Sequence, residues 1–230
     1  MKTVDPDAWD RLSTYLRATR RCTTPAELGN GAVQHLQDVT GAGWSECVQA
    51  AAGGRVTVLA SSDPDLTDVL LRARDASEEP PDPGVMADET VTIEDLAVSS
   101  PWPVFAERAT AETPVRSAVL PYFSTTTSTG VLTVVDRRPG HFGPAEQAYA
   151  RLVADLFALQ LDRLETSARA AHLERAARSG RLVGTACGVL AVRRDISPEE
   201  SFALLRVVSQ RSNRRLRDLA DDVLLTGDLP

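Results

Sequence analysis

The chain has 230 residues, 43% of them hydrophobic and 25% charged, which suits a globular protein with one domain of ordinary size and a smaller appendage. No apolar run approaches the roughly 20 residues a membrane helix needs, and the opening MKTVDPDAWD lacks the apolar stretch of a secretory signal; the expected location is the cytoplasm. Three scattered cysteines (Cys22, Cys47, Cys187) and three scattered histidines (His35, His141, His172) provide no disulfide framework, metal-ligand spacing or triad, so no catalytic, metal or cofactor residue is assigned.

Charge is unevenly distributed. The net charge is −7 overall, but from His172 to Pro230 ten arginines face eight acidic residues, giving +2, and the first 171 residues therefore carry −9. Every basic residue except Lys2 is an arginine. An acidic first part joined to an arginine-bearing last part fits a regulator whose nucleic-acid surface lies at its C-terminal end.

In chain order, residues 5 to 20 read as a helix, with Trp9, Leu12 and Leu16 at helical spacing. Thr24-Pro25-Ala26-Glu27 opens a second, carrying a capping residue, a first-position proline and a glutamate that completes a capping box. Period two follows around Cys47–Ala51 and Arg55–Ala60 across Gly53-Gly54, a hairpin signature. Residues 63 to 90 predict a helix and then a mobile acidic, proline-rich loop near Glu78–Pro83, with a brief strand at Val91–Ile93. Val115–Phe123 and Gly130–Val135 form a second hairpin across a Ser/Thr loop. Two helices, an antiparallel sheet and long loops describe an α+β domain.

From Pro144 to about Arg193 the spacing is compatible only with helix. Ala150, Ala154, Phe157, Leu161, Leu164, Ala168 and Ala171 alternate at intervals of four and three, the seam of a coiled coil. Up to Leu161 an amphipathic helix packed on its own sheet explains the pattern equally well; beyond Leu164 pairing with a second chain is favoured, and a homodimer through residues 150–171 is expected. Ser197-Pro198-Glu199-Glu200 starts a further helix with Phe202, Leu204, Leu205 and Val208 as its apolar face. Ser212 or Asn213 is expected to cap a third, in which Leu216, Leu219, Ala220, Val223 and Leu224 point inward and Gly227 stops the helix. Three short amphipathic helices hide their stripes against one another as an all-α bundle.

Gly184-Thr185-Ala186-Cys187-Gly188-Val189-Leu190, Ile196-Ser197-Pro198-Glu199-Glu200-Ser201-Phe202, Leu204-Leu205-Arg206, Ser209-Gln210 and Asn213-Arg214-Arg215-Leu216-Arg217-Asp218-Leu219-Ala220 together resemble the ANTAR domain of bacterial transcription antitermination regulators, over the whole stretch from Arg181 to Pro230. Ile93-Glu94-Asp95-Leu96, Pro101-Trp102-Pro103-Val104-Phe105, Val115-Arg116-Ser117, Gly130-Val131-Leu132 and Phe142 resemble the second half of a GAF domain, and the likeness extends more loosely over Asp5 to Leu164. The resemblance implies a GAF-like sensor over 5–143, a helical connector over 144–175 and a three-helix ANTAR-like module over 176–230. Two positions depart from it: Cys187 stands where the ANTAR pattern has a lysine, and Glu78-Glu79-Pro80-Pro81-Asp82-Pro83-Gly84 stands where GAF relatives carry a Gly-Pro-Cys type segment.

By the same resemblance the module grips tandem RNA stem-loops in nascent transcripts and prevents terminator formation. RNA needs cations for phosphates and flat, hydrogen-bonding groups for unstacked loop bases, and arginine supplies both. The candidate RNA-binding residues are Arg181, Arg206, Arg211, Asn213, Arg214 and Arg215. Solvated helix charges are the plainer role for Arg214 and for Arg217, which faces Asp221 at i+4, and a helix cap is the plainer role for Asn213. Arg193-Arg194 reads as surface, Cys187 as packing and Trp102 as a core plug. The sensor half offers a pocket between the sheet and the 63–110 loops, open to a small-molecule ligand of unknown identity. Two other readings stay open: a dimeric sensor with a protein- or DNA-binding helical output, and a redox enzyme using Cys22 or Cys47, which needs a nucleophilic and usually a resolving thiol.

Overall fold

A computed structural model describes residues 7–51, 56–75, 86, 88–98 and 100–229. The Gly53-Gly54 turn and the Glu78–Pro83 segment lie outside the described residues. The chain divides into two compact units, Met1–Glu165 and Thr166–Pro230. Among the described residues no helix is long and apolar enough to cross a membrane, and no cluster of three His, Cys, Asp or Glu side chains could hold a metal.

The first unit contains α1 (Ala8–Thr19), α2 (Pro25–Thr40), β1 (Trp44–Ala51), β2 (Val56–Ser61), α3 (Pro64–Asp75), β3 (Thr90–Ile93), α4 (Pro103–Glu112), β4 (Ser117–Ser124), β5 (Ser128–Asp136) and the start of α5 (Pro144–Arg194). The α2 cap forms as the sequence predicts: Thr24 accepts the Glu27 amide at 3.2 Å, while Glu27 reaches back to the Thr23 and Thr24 amides. The strands form one antiparallel sheet in the order β2-β1-β5-β4-β3. Helices cover both of its faces, which is why β4 and β5 read as nearly continuous apolar runs rather than as alternation. Cys47, Val119, Phe123, Leu132 and Val134 pack toward α1, α2 and α5. Val48, Ala118, Leu120, Tyr122, Val131 and Val135 pack toward α3 and α4.

Helix α4 corrects the expectation of loop between Ile93 and Val115. Its buried positions, Ala106 and Ala109, are too small to print an apolar stripe, and Trp102 supplies the bulk by lying edge-on to Phe105 at 6.5 Å. The seam on α5 is resolved in favour of the sheet for its first four members: Ala150, Ala154, Phe157 and Leu161 are fully buried in the sensor core. Leu164 is partly buried there, and Ala168 and Ala171 are exposed.

The turn between α2 and β1 is clipped to the end of β5 by Asp136. Its buried carboxylate accepts the Gly43 amide at 3.0 Å, the Arg138 amide at 2.8 Å and Arg138 Nε at 2.7 Å. Burial alone would raise this carboxyl, but the bonds from Arg138 outweigh it and hold the group at about 2, below its ordinary 3.8. A depressed carboxyl stabilises the fold where it is ionised, above about pH 4, and that contribution is lost as pH falls through about 2. Asp136→Asn is therefore expected to cost about 2 kcal/mol at pH 7 in urea denaturation. The gap between variant and parent should close between pH 4 and 2; a gap unchanged by acid would contradict the assignment.

Candidate nucleic-acid interface and sensor cavity

The second unit consists of the end of α5 with α6 (Pro198–Ser212) and α7 (Leu216–Thr226), closed around Ala186, Cys187, Leu190, Leu205, Leu219 and Val223. Helix α6 starts on a reciprocal cap: Ser197 Oγ accepts the Glu200 amide at 3.1 Å and Glu200 accepts the Ser197 amide at 2.8 Å. Its end corrects the expected cap of the third helix. Asn213 adopts φ 51°, the left-handed conformation, and terminates α6, while Arg215 is the N-cap of α7 and makes no side-chain cap bond. The turn is drawn tight by Ser209, whose carbonyl accepts the Arg214 amide at 3.2 Å and whose hydroxyl donates to the Arg214 carbonyl at 2.5 Å.

This turn brings four of the six predicted residues together: Arg211 in the last turn of α6, then Asn213, Arg214 and Arg215, all exposed. Arg206 is exposed on a different flank of α6, about 140° from Arg211 at about 3.6 residues per turn. Arg181 is exposed on α5. Arg214 pairs with Asp222 at 2.7 Å, and this hydrogen bond pushes its already high value further up. The pair is solvated, so it contributes little to stability and leaves the guanidinium open to exchange for a phosphate. Arg217 pairs with its neighbour Asp218 at 3.1 Å, not with Asp221 as the i+4 spacing suggested. Among the described residues Arg181, Arg206, Arg211 and Arg215 make no ion pair.

Other residues of this unit hold it together. Arg194 binds Asp228 at 2.5 Å, and the Arg193 guanidinium lies against Gly227, whose φ of 82° ends α7. Cys187, at the position where the resemblance expects lysine, is buried, and burial pushes its thiol up. Phe202 and Leu224 were expected to face inward, yet both are about half-exposed. Phe202 borders a shallow groove with Val183, Cys187, Leu216 and Arg217. Sequence reasoning missed this groove because helical spacing assigns Phe202 to a stripe without saying how far the stripe wraps.

In the first unit a small cavity of about 60 Å³ lies between the sheet and α3 and α4. Its wall is mostly Val, Leu and Ile, with polar groups from Glu46, Thr133, Tyr122 and Arg74. Glu46 lay just outside the strand read from the sequence; a carboxylate two residues before Val48 on a buried strand was the signal. Thr67 Oγ1 donates to Glu46 Oε2 at 2.6 Å, and burial pushes the carboxyl up.

The strands bounding this cavity also hold α5. The Tyr122 carbonyl accepts Arg151 Nη1, and Glu165 accepts Gln49 Nε2 at 2.5 Å together with the hydroxyls of Thr125, Thr127 and Ser128. Asp162 accepts the Thr126 amide at 2.8 Å. Cys47 is buried on the opposite face of the sheet, where burial pushes its thiol well up, an environment of neutral packing sulfur rather than of a thiolate nucleophile.

Residues 171–224 match the ANTAR domain family. The GAF domain of a sensor histidine kinase from Pseudomonas syringae pv. tomato superposes with a TM-score of 0.50 at 15% identity, covering 72% of this chain and 93% of that one. The chromophore-binding domain of a bacteriophytochrome from R. palustris superposes with a TM-score of 0.51 at 11% identity, over 72% of this chain but only 64% of that one. Each covered share exceeds what Thr166–Pro230 contains, so the likeness reaches into the first unit; at these identities it establishes the GAF fold alone. No curated protein aligns with the chain.

Proposed function

The chain joins a GAF fold to an ANTAR domain, and from that premise we propose that it is an RNA-binding regulator of transcription termination. The observation that carries this reading is the exposed turn between α6 and α7, where Arg211, Arg214, Arg215 and Asn213 crowd into five residues beside the amide end of α7. Guanidinium groups displace counterions from phosphates and present flat donor forks to unstacked bases, and a helix start favours anions. The side-chain amide of Asn213 both donates and accepts at a base edge. Arg206, on a different flank of α6, and Arg181, on α5, are exposed cations outside this turn.

Holding one stem-loop in a nascent transcript disfavours the competing terminator hairpin. Two stem-loops in tandem call for two copies of the module. Since the inner seam of α5 is committed to the sheet, a dimer would use another face of that helix, such as the one carrying the exposed Leu159. The GAF fold supplies the sensor, with its cavity as the ligand site.

Titrating the full chain against a tandem stem-loop RNA by fluorescence anisotropy tests the reading. Micromolar or tighter binding is expected, with log K falling against log salt at a slope of about −3 if about four phosphates are neutralised. Duplex DNA competing as well as the RNA would instead assign the helical output to DNA; absence of salt-sensitive binding to either would overturn nucleic-acid recognition.

A further inference from the structure

We propose that the groove between the end of α5 and the starts of α6 and α7 receives one unpaired base of an RNA loop, stacked on Phe202, while Arg181, Arg206 and Arg217 take the phosphates around it. This rests on reading the helical unit as an RNA-binding module and adds a stacking platform to the arginine turn.

The platform follows from where the ring lies. Of the five phenylalanines in the chain Phe202 alone is exposed, at 45%, although its helix buries Ser201 and Leu205 on either side of it. The ring borders an open groove of about 410 Å³, within the range of about 300–1,000 Å³ that single small ligands occupy. Val183, Cys187 and Leu216 make the other walls apolar. Gly180 and Gly184 stand one turn apart on α5, and a Cβ at either would meet nothing within 4 Å, so helix backbone itself borders the space. A nucleobase suits such a slot: every base has a flat face that stacks on an aromatic ring, and loop bases are free to leave their own stack.

The choice of an RNA base over an apolar side chain follows from the charges. Among the described residues lining the groove, the charged one is Arg217, whose ion pair is with its sequence neighbour Asp218. Arg206 comes four residues after Phe202 and therefore stands one turn along the same stripe of α6. Arg181 comes three residues before Gly184 and is its neighbour on the surface of α5. Both are exposed, and among the described residues neither makes an ion pair. An apolar slot with guanidinium groups around it matches a nucleotide, whose base is flat and whose flanking phosphates are anionic. The slot also gives Arg206 a place in recognition that the turn does not, since it lies about 140° from Arg211 around α6. Leu216 and Arg217 follow Arg215 directly, so one strand of a loop passes from turn to groove.

The test uses the full chain and a tandem stem-loop RNA with all-adenine loops, each loop position made abasic in turn in both loops. In anisotropy titrations Phe202→Ala should weaken binding about tenfold or more, the scale of one lost stack, with the salt slope unchanged because no phosphate contact is lost. Phe202→Trp keeps a ring and should keep the affinity. One abasic position should weaken the parent by a similar factor and cost nothing further in Phe202→Ala. Arg206→Ala should instead lower the salt slope by about 1. Gly184→Leu guards against misfolding as the cause: its Cβ enters open space and leucine outranks glycine in a helix, so the fold should hold while the filled groove loses the base and about tenfold in affinity. Indifference of the parent to every abasic position, additive losses in Phe202→Ala, or parental affinity in Gly184→Leu would overturn the proposal. A change of mass by light scattering in Phe202→Ala and Gly184→Leu with RNA affinity intact would overturn it too, and give the groove to a second copy of the chain. The two readings fail separately. Salt-sensitive binding blind to the loop bases sinks the base slot alone, whereas no RNA binding by the parent sinks the output assignment and the slot with it.

Discussion

Gly130→Ala is expected to destabilise the sensor unit by about 3 kcal/mol or more, the upper range for overpacking a core. Gly130 lies on β5 opposite Gln49 of β1 and Phe123 of β4. A Cβ placed there would sit 2.4 Å from Phe123 Cζ and 2.4 Å from the Val48 carbonyl oxygen. Neither neighbour can yield cheaply. The Phe123 ring is fully buried and lies edge-on to Phe157 at 5.1 Å, while the Val48 oxygen belongs to a central strand. For a chain of this length the loss corresponds to a fall in melting temperature of roughly 6 to 12 °C. Gly184→Ala is the control of opposite sign. Nothing lies within 4 Å of a Cβ at that exposed helical position, so replacing glycine should stabilise by up to about 1 kcal/mol. Thermal denaturation of both variants decides it: a loss below about 1 kcal/mol for Gly130→Ala would mean that the β5 packing is wrong.

The second large effect concerns RNA. Replacing Arg211, Arg214 and Arg215 together by alanine should weaken binding about a hundredfold near physiological salt and reduce the salt slope by about 2 to 3, as three lost phosphate contacts require. The fold should survive. Among the described residues only Arg214 of the three is in an ion pair, with Asp222, and a pair this exposed contributes little to stability. Arg194→Ala has the converse profile: it breaks the contact with Asp228 that ties α5 to the end of α7, so it should lower stability and leave the salt slope nearly unchanged. Anisotropy titrations at several salt concentrations, with circular dichroism as the folding check, distinguish the two. An unaltered slope in the triple variant would remove the arginine turn from the interface.

Much of this architecture was legible in local patterns. Thr24-Pro25 with Glu27 and Ser197-Pro198 with Glu200 announced helices that begin where those capping boxes place them. Helix α4 escaped because alanines at its buried positions leave no periodic signal. Asn213 was misplaced because the residue types that cap a helix start also tolerate the left-handed conformation that ends one, and only the backbone angle tells them apart. The arginine cluster was visible as composition, but which members share a surface was not. Arg211 and Arg206 lie about 140° apart around α6, which their closeness in sequence conceals, and the partners of Arg214 and Arg217 depend on where α7 turns back.

The sequence by itself determined the class of the molecule, the order of its strands and of every helix but α4, and the arginine-rich character of its C-terminal part, because caps, periodicity and charge act over a few neighbouring residues. Tertiary structure alone decided which partner the apolar seam of α5 serves, which arginines face one turn, and which polar side chains meet inside the sheet. Those outcomes depend on contacts between residues a hundred positions apart, such as Gln49 with Glu165, and a periodic pattern states that a face must be covered without stating by what.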